Sequence, residues 1–223
     1  MNGYIIHLPN SELSVNQSNK TADDLKTIGI NPILFEGCTK DDAWQEFINL
    51  DFKINNIKRF GGGNVDSELG TFISHYRLWE RCFREGKNII IFEHDASLIK
   101  PFDIKELKSF DGDVLNLGKP NWGNRVWKGV GLYKRNINNL KTETDWEKEK
   151  WYSESNEDWL FGAHAYLVTP IGAKKLIDSA NKSGILPADV MIRLDVVSIS
   201  DLLPHPFEQR KNISFIQRKT LDN

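Results

Sequence analysis

The chain is expected to fold as an α/β domain with a mainly parallel central sheet flanked by helices. Three observations lead there. Short apolar runs alternate with segments of helical spacing along much of the length. The clearest helical segment, 67–85, carries a stripe of large apolar side chains of the kind that meets a sheet. The composition, 223 residues with 39% hydrophobic and 27% charged, is that of an ordinary soluble globule able to bury one substantial core.

The strands are expected at Tyr4 to Leu8, Ile33 to Phe35, Ile89 to Phe92, Val114 to Leu117, Ala165 to Val168 and Val196 to Ile199, each bounded by polar or turn residues. Between them, 18–28, 40–49, 67–85, 171–181 and 188–194 have helical spacing. In 67–85 a step of about 100° per residue puts Leu69, Phe72, Ile73, Tyr76, Trp79 and Phe83 on one face, with Ser74 and His75 off it. The glycine run Gly61 to Gly63 reads as a loop leading to an N-cap at Asp66 or Ser67; it lacks the lysine and spacing of a P-loop. No repeat or low-complexity tract divides the chain, so one domain over 1–223 is expected.

Charge and cysteine usage narrow the function classes. A formal net charge of −2 offers no bulk attraction to nucleic acid or acidic lipid. The two cysteines, Cys38 and Cys82, have neither metal-type spacing nor the density of a disulfide framework, which suits a reducing cytoplasm. The N-terminus lacks the basic start and long apolar run of a signal peptide, and no stretch approaches a membrane span. A cytoplasmic location is expected, with at most peripheral contact at the inner membrane face.

In sheets of this kind ligands bind beyond the C-terminal ends of the strands. There the run IIIF is followed by Glu93, His94 and Asp95. If the chain stays extended, Glu93 and Asp95 project to one side and His94 to the other. Two acids on one side suit a hard divalent cation that also holds substrate phosphates. A solvated pair of loop acids is the plain alternative.

The wider string ELGTFISHYRLWERCFREGKNIIIFEHDASLIKPF, with Glu68, Gly70, Ser74, His75 and Trp79 ahead of the acids, resembles glycosyltransferase family 25, the lipopolysaccharide and procollagen galactosyltransferase group. That family reads Glu-x-Gly-Cys-x-x-Ser-His on a helix and then Glu-Asp-Asp at a strand end. YIIHLPNSE resembles its first strand and donor loop, ILFEGCTKDD its second strand, GAHAYLVTPIGAKKLID its Ala-Tyr strand and Gly-Ala helix, LPADVMI the acidic segment after them and SFIQ its closing segment. The chain departs from the family pattern at Thr71, where the family has cysteine, at His94, where it has the middle acid, and after the first strand, where SELSVNQSNK lacks the usual arginines.

The resemblance implies a single GT-A-type domain that transfers a hexose, galactose in the first instance, from a UDP-sugar to a hydroxyl of a lipopolysaccharide-like or protein-linked glycan, with inversion. It implies Mn²⁺ or Mg²⁺ held by Asp95 with Glu93, and His205 completing the shell. Asp189 is the expected base by family position, with helix N-capping as its alternative. His7, Glu68, Ser74, His75, Glu93, His94 and His164 are expected around the donor, each histidine having a structural alternative. Trp122, Trp127, Trp146, Trp151 and Trp159 lie in a long polar connection where they would stack on acceptor sugars, form a lid or simply cover the core. Two rival classes stay open: a catalytically decayed nucleotide-sugar or glycan-binding module, and a metal-dependent phosphohydrolase.

Overall fold

Side chains alternate across each central strand, and the apolar ones divide into two cores, one on each face of a sheet. Tyr4, Ile91, Val114, Tyr166 and Val168 join one core; Ile5, Ile90, Phe92, Leu115, Ala165 and Leu167 join the other. This is a computed structural model, and it describes residues 1–52, 65–119, 159–160, 163–202 and 204–210. The glycine run 61–63, Trp122, Trp127, Trp146, Trp151 and SFIQ lie outside the described residues.

The strands are β1 (Asn2–His7), β2 (Asn31–Glu36), β3 (Ile89–Glu93), β4 (Ala96–Leu98), β5 (Val114–Asn116), β6 (Ala165–Val168), β7 (Ile199–Asp201) and β8 (Phe207–Gln209). Six form one sheet in the order β2-β1-β3-β6-β5-β7, parallel except for β6, which runs antiparallel between β3 and β5. The expected mainly parallel sheet is therefore present. The last expected strand, Val196 to Ile199, instead begins at Ile199, because Val114 on β5 pairs with that residue and sets the register. β4 and β8, which periodicity did not reveal, form a separate antiparallel pair, with Ala96 opposite Gln209 and Leu98 opposite Phe207.

The described helices are α1 (Glu12–Thr27), α2 (Ala43–Asn49), α3 (Val65–Glu85), α4 (Lys105–Lys108), α5 (Pro170–Ser183) and α6 (Ala188–Met191). α1 begins six residues before the expected 18, where the side chain of Ser11 caps the backbone N–H of Ser14. Its buried face, Ser14, Gln17, Ser18, Thr21, Ala22 and Leu25, is too polar to give an apolar period. That polarity has a use, since Thr21 Oγ1 lies 2.6 Å from the carbonyl of Ala96 and 2.9 Å from that of His94. α1 thus supports the backbone where β3 ends.

α3 starts at Val65, so Asp66 and Ser67 lie in its first turn and are not its N-cap. Phe83 is 48% exposed and Cys82 is buried, because α3 packs against α2 and α5 as well as the sheet and its buried arc is wider than one stripe. For the same reason Ser74 and His75 are buried. Gly70 permits this packing: a Cβ there would stand 2.7 Å from the carbonyl oxygen of Cys38.

Arg210 ties the β4–β8 pair to α1. Its Nη1 donates to Thr21 Oγ1 at 2.8 Å, its Nη2 to Asp24 Oδ2 at 2.9 Å and its backbone N–H to the carbonyl of Asp95 at 2.8 Å. Arg210→Ala is expected to lower unfolding free energy by about 1–2 kcal/mol, the low end for charged hydrogen bonds because Asp24 is partly exposed. A denaturant titration checks this, and an unchanged midpoint would deny the clamp its role.

Candidate active site

The C-terminal ends of β1 and β3 open into a cavity of about 480 Å³. Its wall includes His7, Ser11, Cys38, Lys40, Ser74, His75, Glu93, His94, Asp95 and Gln209. The structure therefore gathers five of the expected donor-site residues: His7, Ser74, His75, Glu93 and His94. Glu68 is half-buried in the first turn of α3 and His164 is buried behind the wall; neither belongs to the lining.

The expected alternation of Glu93, His94 and Asp95 does not occur, because the strand stops at Glu93 and the chain turns through His94 and Asp95. All three residues line the same cavity. The turn gives the acids different partners. Glu93 falls on the α3 face, with Oε1 3.5 Å from His75 Nε2. Asp95, 1% exposed, faces β8, where Gln209 Nε2 donates to its Oδ2 at 2.8 Å. Among the described residues its other oxygen, Oδ1, has no hydrogen-bond partner.

These partners set the charges. Burial pushes Glu93 up, but His75 Nε2, with His164 and His94 nearby, outweighs it and holds the carboxyl below its usual range. For Asp95, burial reinforced by Glu93 prevails over the Gln209 hydrogen bond and the charge of Arg210, and raises it to about 7. Burial lowers His94, only partly offset by Glu93. His7 is lowered by burial too, against the pull of Glu36.

Behind the wall, His75 Nδ1 is 2.8 Å from Tyr166 Oη, which also receives the indole N–H of Trp79 at 2.9 Å. Tyr166 and Trp79 were not singled out as polar partners from sequence, where both read as core aromatics. Ser74 accepts the N–H of Cys38 at 2.8 Å and donates to the carbonyl of Gly70 at 2.7 Å, bonding the loop after β2 to α3. His164 packs on Gly118, where a Cβ would come within 2.6 Å of its Nε2.

Asp189 lies inside α6, whose N-cap position is Pro187, and its carboxylate accepts the N–H of Val190 at 2.9 Å. It is not the helix cap. Burial and the charge of Glu93 raise it to about 6, against the N–H of Val190 and the neighbouring His75. It is absent from the cavity lining and adjoins the Glu93–His75 side electrostatically.

His205, expected to complete the metal shell, is not among the residues that line the cavity. Its Nε2 pairs with Asp201 Oδ1 at 3.0 Å, and Asp201 also accepts Asn116 Nδ2 at 2.7 Å. Those partners sit at the ends of β5 and β7, two and three strands from β3 in the sheet order. Among the described residues no three His, Cys, Asp or Glu side chains come together as a metal-holding group. The fit to a cation therefore rests on Asp95: a buried carboxylate oxygen without a hydrogen-bond partner, raised toward neutrality beside a second carboxylate, is relieved by a positive charge.

Trp159 bridges Arg193 through the backbone. No described helix is long and apolar enough to cross a membrane.

A family model described as glycosyltransferase family 25 (LPS biosynthesis protein) matches residues 1–192. A curated Anopheles gambiae protein, described as a glycosyltransferase 25 family member, is 26% identical over 129 residues, which cover 55% of this chain and 19% of that protein. The chain thus spans under a fifth of the length of that relative. Among solved structures, the crystal structure of A197 from STIV aligns over 93% of this chain and 80% of its own, at 9% identity and a TM-score of 0.41.

Proposed function

Because the chain belongs to glycosyltransferase family 25, we propose that it transfers a hexose, galactose in the first instance, from a UDP-sugar to a hydroxyl of a lipopolysaccharide-like or protein-linked glycan, by inversion in a GT-A-type centre. The observation that supports this most is the cavity at the strand ends, where Glu93 and Asp95 lie in one wall with His7, Ser74, His75 and His94.

The transfer forms a bond from the acceptor oxygen to the anomeric carbon and breaks the bond from that carbon to the diphosphate. The acceptor loses a proton and UDP departs carrying the electron pair. Asp189 is the proposed proton acceptor: a carboxyl raised to about 6 is ionised near neutral pH yet basic enough to share a hydroxyl proton as it acidifies. This reading puts the acceptor on the α6 side of Glu93 and the nucleotide on the β1 side. Lys40, in the cavity wall, contributes positive charge toward phosphate.

Mn²⁺ or Mg²⁺, when bound, supplies positive charge to the departing diphosphate, and Asp95 Oδ1 with Glu93 would hold it. Gln209, by occupying Asp95 Oδ2, leaves Oδ1 for that task.

The test is Mn²⁺ titration with a panel of nucleotide sugars, following UDP release with and without glycan acceptor. Release that requires both metal and acceptor is the expected result. Release without acceptor would make the protein a phosphohydrolase, and binding without turnover would make it a decayed module.

A further inference from the structure

Trp79, Tyr166 and His75 form a fully buried file behind Glu93, and their hydrogen-bonding capacities give its protons one direction. An indole nitrogen only donates, so in the 2.9 Å contact Trp79 gives its hydrogen to Tyr166 Oη. The phenol keeps its own hydrogen, and among the described residues its remaining partner is His75 Nδ1 at 2.8 Å. If Nδ1 were the donor there, the phenol hydrogen would be buried without an acceptor, which is costly. Nδ1 therefore accepts, and a neutral imidazole with that nitrogen unprotonated carries its hydrogen on Nε2. Nε2 is buried and makes no hydrogen bond of ordinary geometry among the described residues; Glu93 Oε1, 3.5 Å away, is the acid it faces. The imidazole also stacks on the Tyr166 ring, at 5.8 Å and 14° between planes, so rotation is opposed by packing as well as by the hydrogen bond.

We propose that Trp79 and Tyr166 are positioning residues that lock His75 as its Nε2–H tautomer, so that the histidine presents a fixed donor to the Glu93 carboxylate at the cavity wall. The file crosses elements, with Trp79 and His75 on α3, Tyr166 on β6 and Glu93 on β3. It thereby ties the main helix to the end of the strand that carries the acids. The effect on turnover rests on the transferase reading; the tautomer does not.

The experiment is a long-range ¹H–¹⁵N spectrum of the histidine-labelled full chain, joined to kinetics of Tyr166→Phe. His75 is expected to show an unprotonated, hydrogen-bonded Nδ1 and a protonated Nε2. A protonated Nδ1, alone or in an imidazolium, overturns the proposal. In Tyr166→Phe the Nδ1 resonance is expected to move to its unbonded position and kcat to fall roughly tenfold, the scale of one buried hydrogen bond, with donor KM little changed. His75→Gln places an amide N–H near the Nε2 position without needing Tyr166, so adding Tyr166→Phe to it is expected to cost less than about twofold more. Equal losses in both backgrounds would mean that Tyr166 only packs, and would overturn the proposal. A chain with no transfer at all defeats the transferase reading, and the spectrum alone then decides the tautomer.

Discussion

Asp95→Asn is expected to lose sugar transfer by roughly 10²–10³-fold, the scale on which removal of one group stabilising transition-state charge is felt, and yet to unfold at a higher temperature than the parent chain. The two effects have one cause. Asp95 is buried beside Glu93, and its carboxyl is raised to about 7 from the usual 3.8. With a chelator present, the native and unfolded chains both hold this proton at pH below about 4, so the carboxylate costs nothing there. As the pH rises from about 4 to about 7 the unfolded chain releases the proton while the native one retains it, and the native state loses stability throughout that window. Above about 7 the penalty is constant. The amide carries no such penalty and can still accept the hydrogen bond from Gln209. The melting advantage of Asp95→Asn should therefore be absent near pH 4, grow to about pH 7 and then level off, at about 2–4 °C for each kcal/mol in a chain of this size. Mn²⁺ should raise the melting temperature of the parent and leave the variant unmoved. Equal stabilisation of both by Mn²⁺, or near-parental transfer by the variant, would remove Asp95 from the cation site.

Asp189→Asn is expected to lower kcat/KM by about 10²–10⁴-fold, the usual contribution of general base catalysis, with little change in donor affinity. A base acts when ionised, so in the parent chain kcat/KM should rise as the pH increases through about 6, the value to which burial and Glu93 raise this carboxyl. The rising limb should vanish in Asp189→Asn. In Glu93→Gln the residual activity should begin its rise at lower pH, because the neighbouring negative charge that keeps Asp189 protonated is gone. A parental pH limb in Asp189→Asn would assign the limb, and the proton, to another group.

The strands that were legible in sequence are those buried on both faces. IIIF and AYLV are continuous apolar runs because helices cover each side of the sheet, and their bounds agree with β3 and β6 to within one residue. α1 was only half visible because its buried face is serine, threonine and glutamine, chosen for the carbonyls of the turn after β3 and for Arg210. β4 and β8 were invisible because three-residue strands have no measurable period and their pairing joins Ala96 to Gln209 across more than a hundred residues.

The candidate site divides the same way. Sequence alone determined the mainly parallel character of the sheet, the existence of helix α3 and the place of the acids at the end of β3, since each follows from local periodicity and the chemistry of neighbouring residues. It also carried the family resemblance that named His75, Asp95 and Asp189. Only the tertiary structure decided that the chain turns at His94, that Asp95 answers to Gln209, that His205 belongs to Asp201, and that Tyr166 fixes the face His75 shows to Glu93. Those pairs lie between 4 and 114 residues apart, and even the nearest depends on which strands stand side by side. Local periodicity says which face of an element is buried; which polar group waits there is set by the packing of distant elements, where an unmatched buried donor or acceptor is costly enough to select its partner.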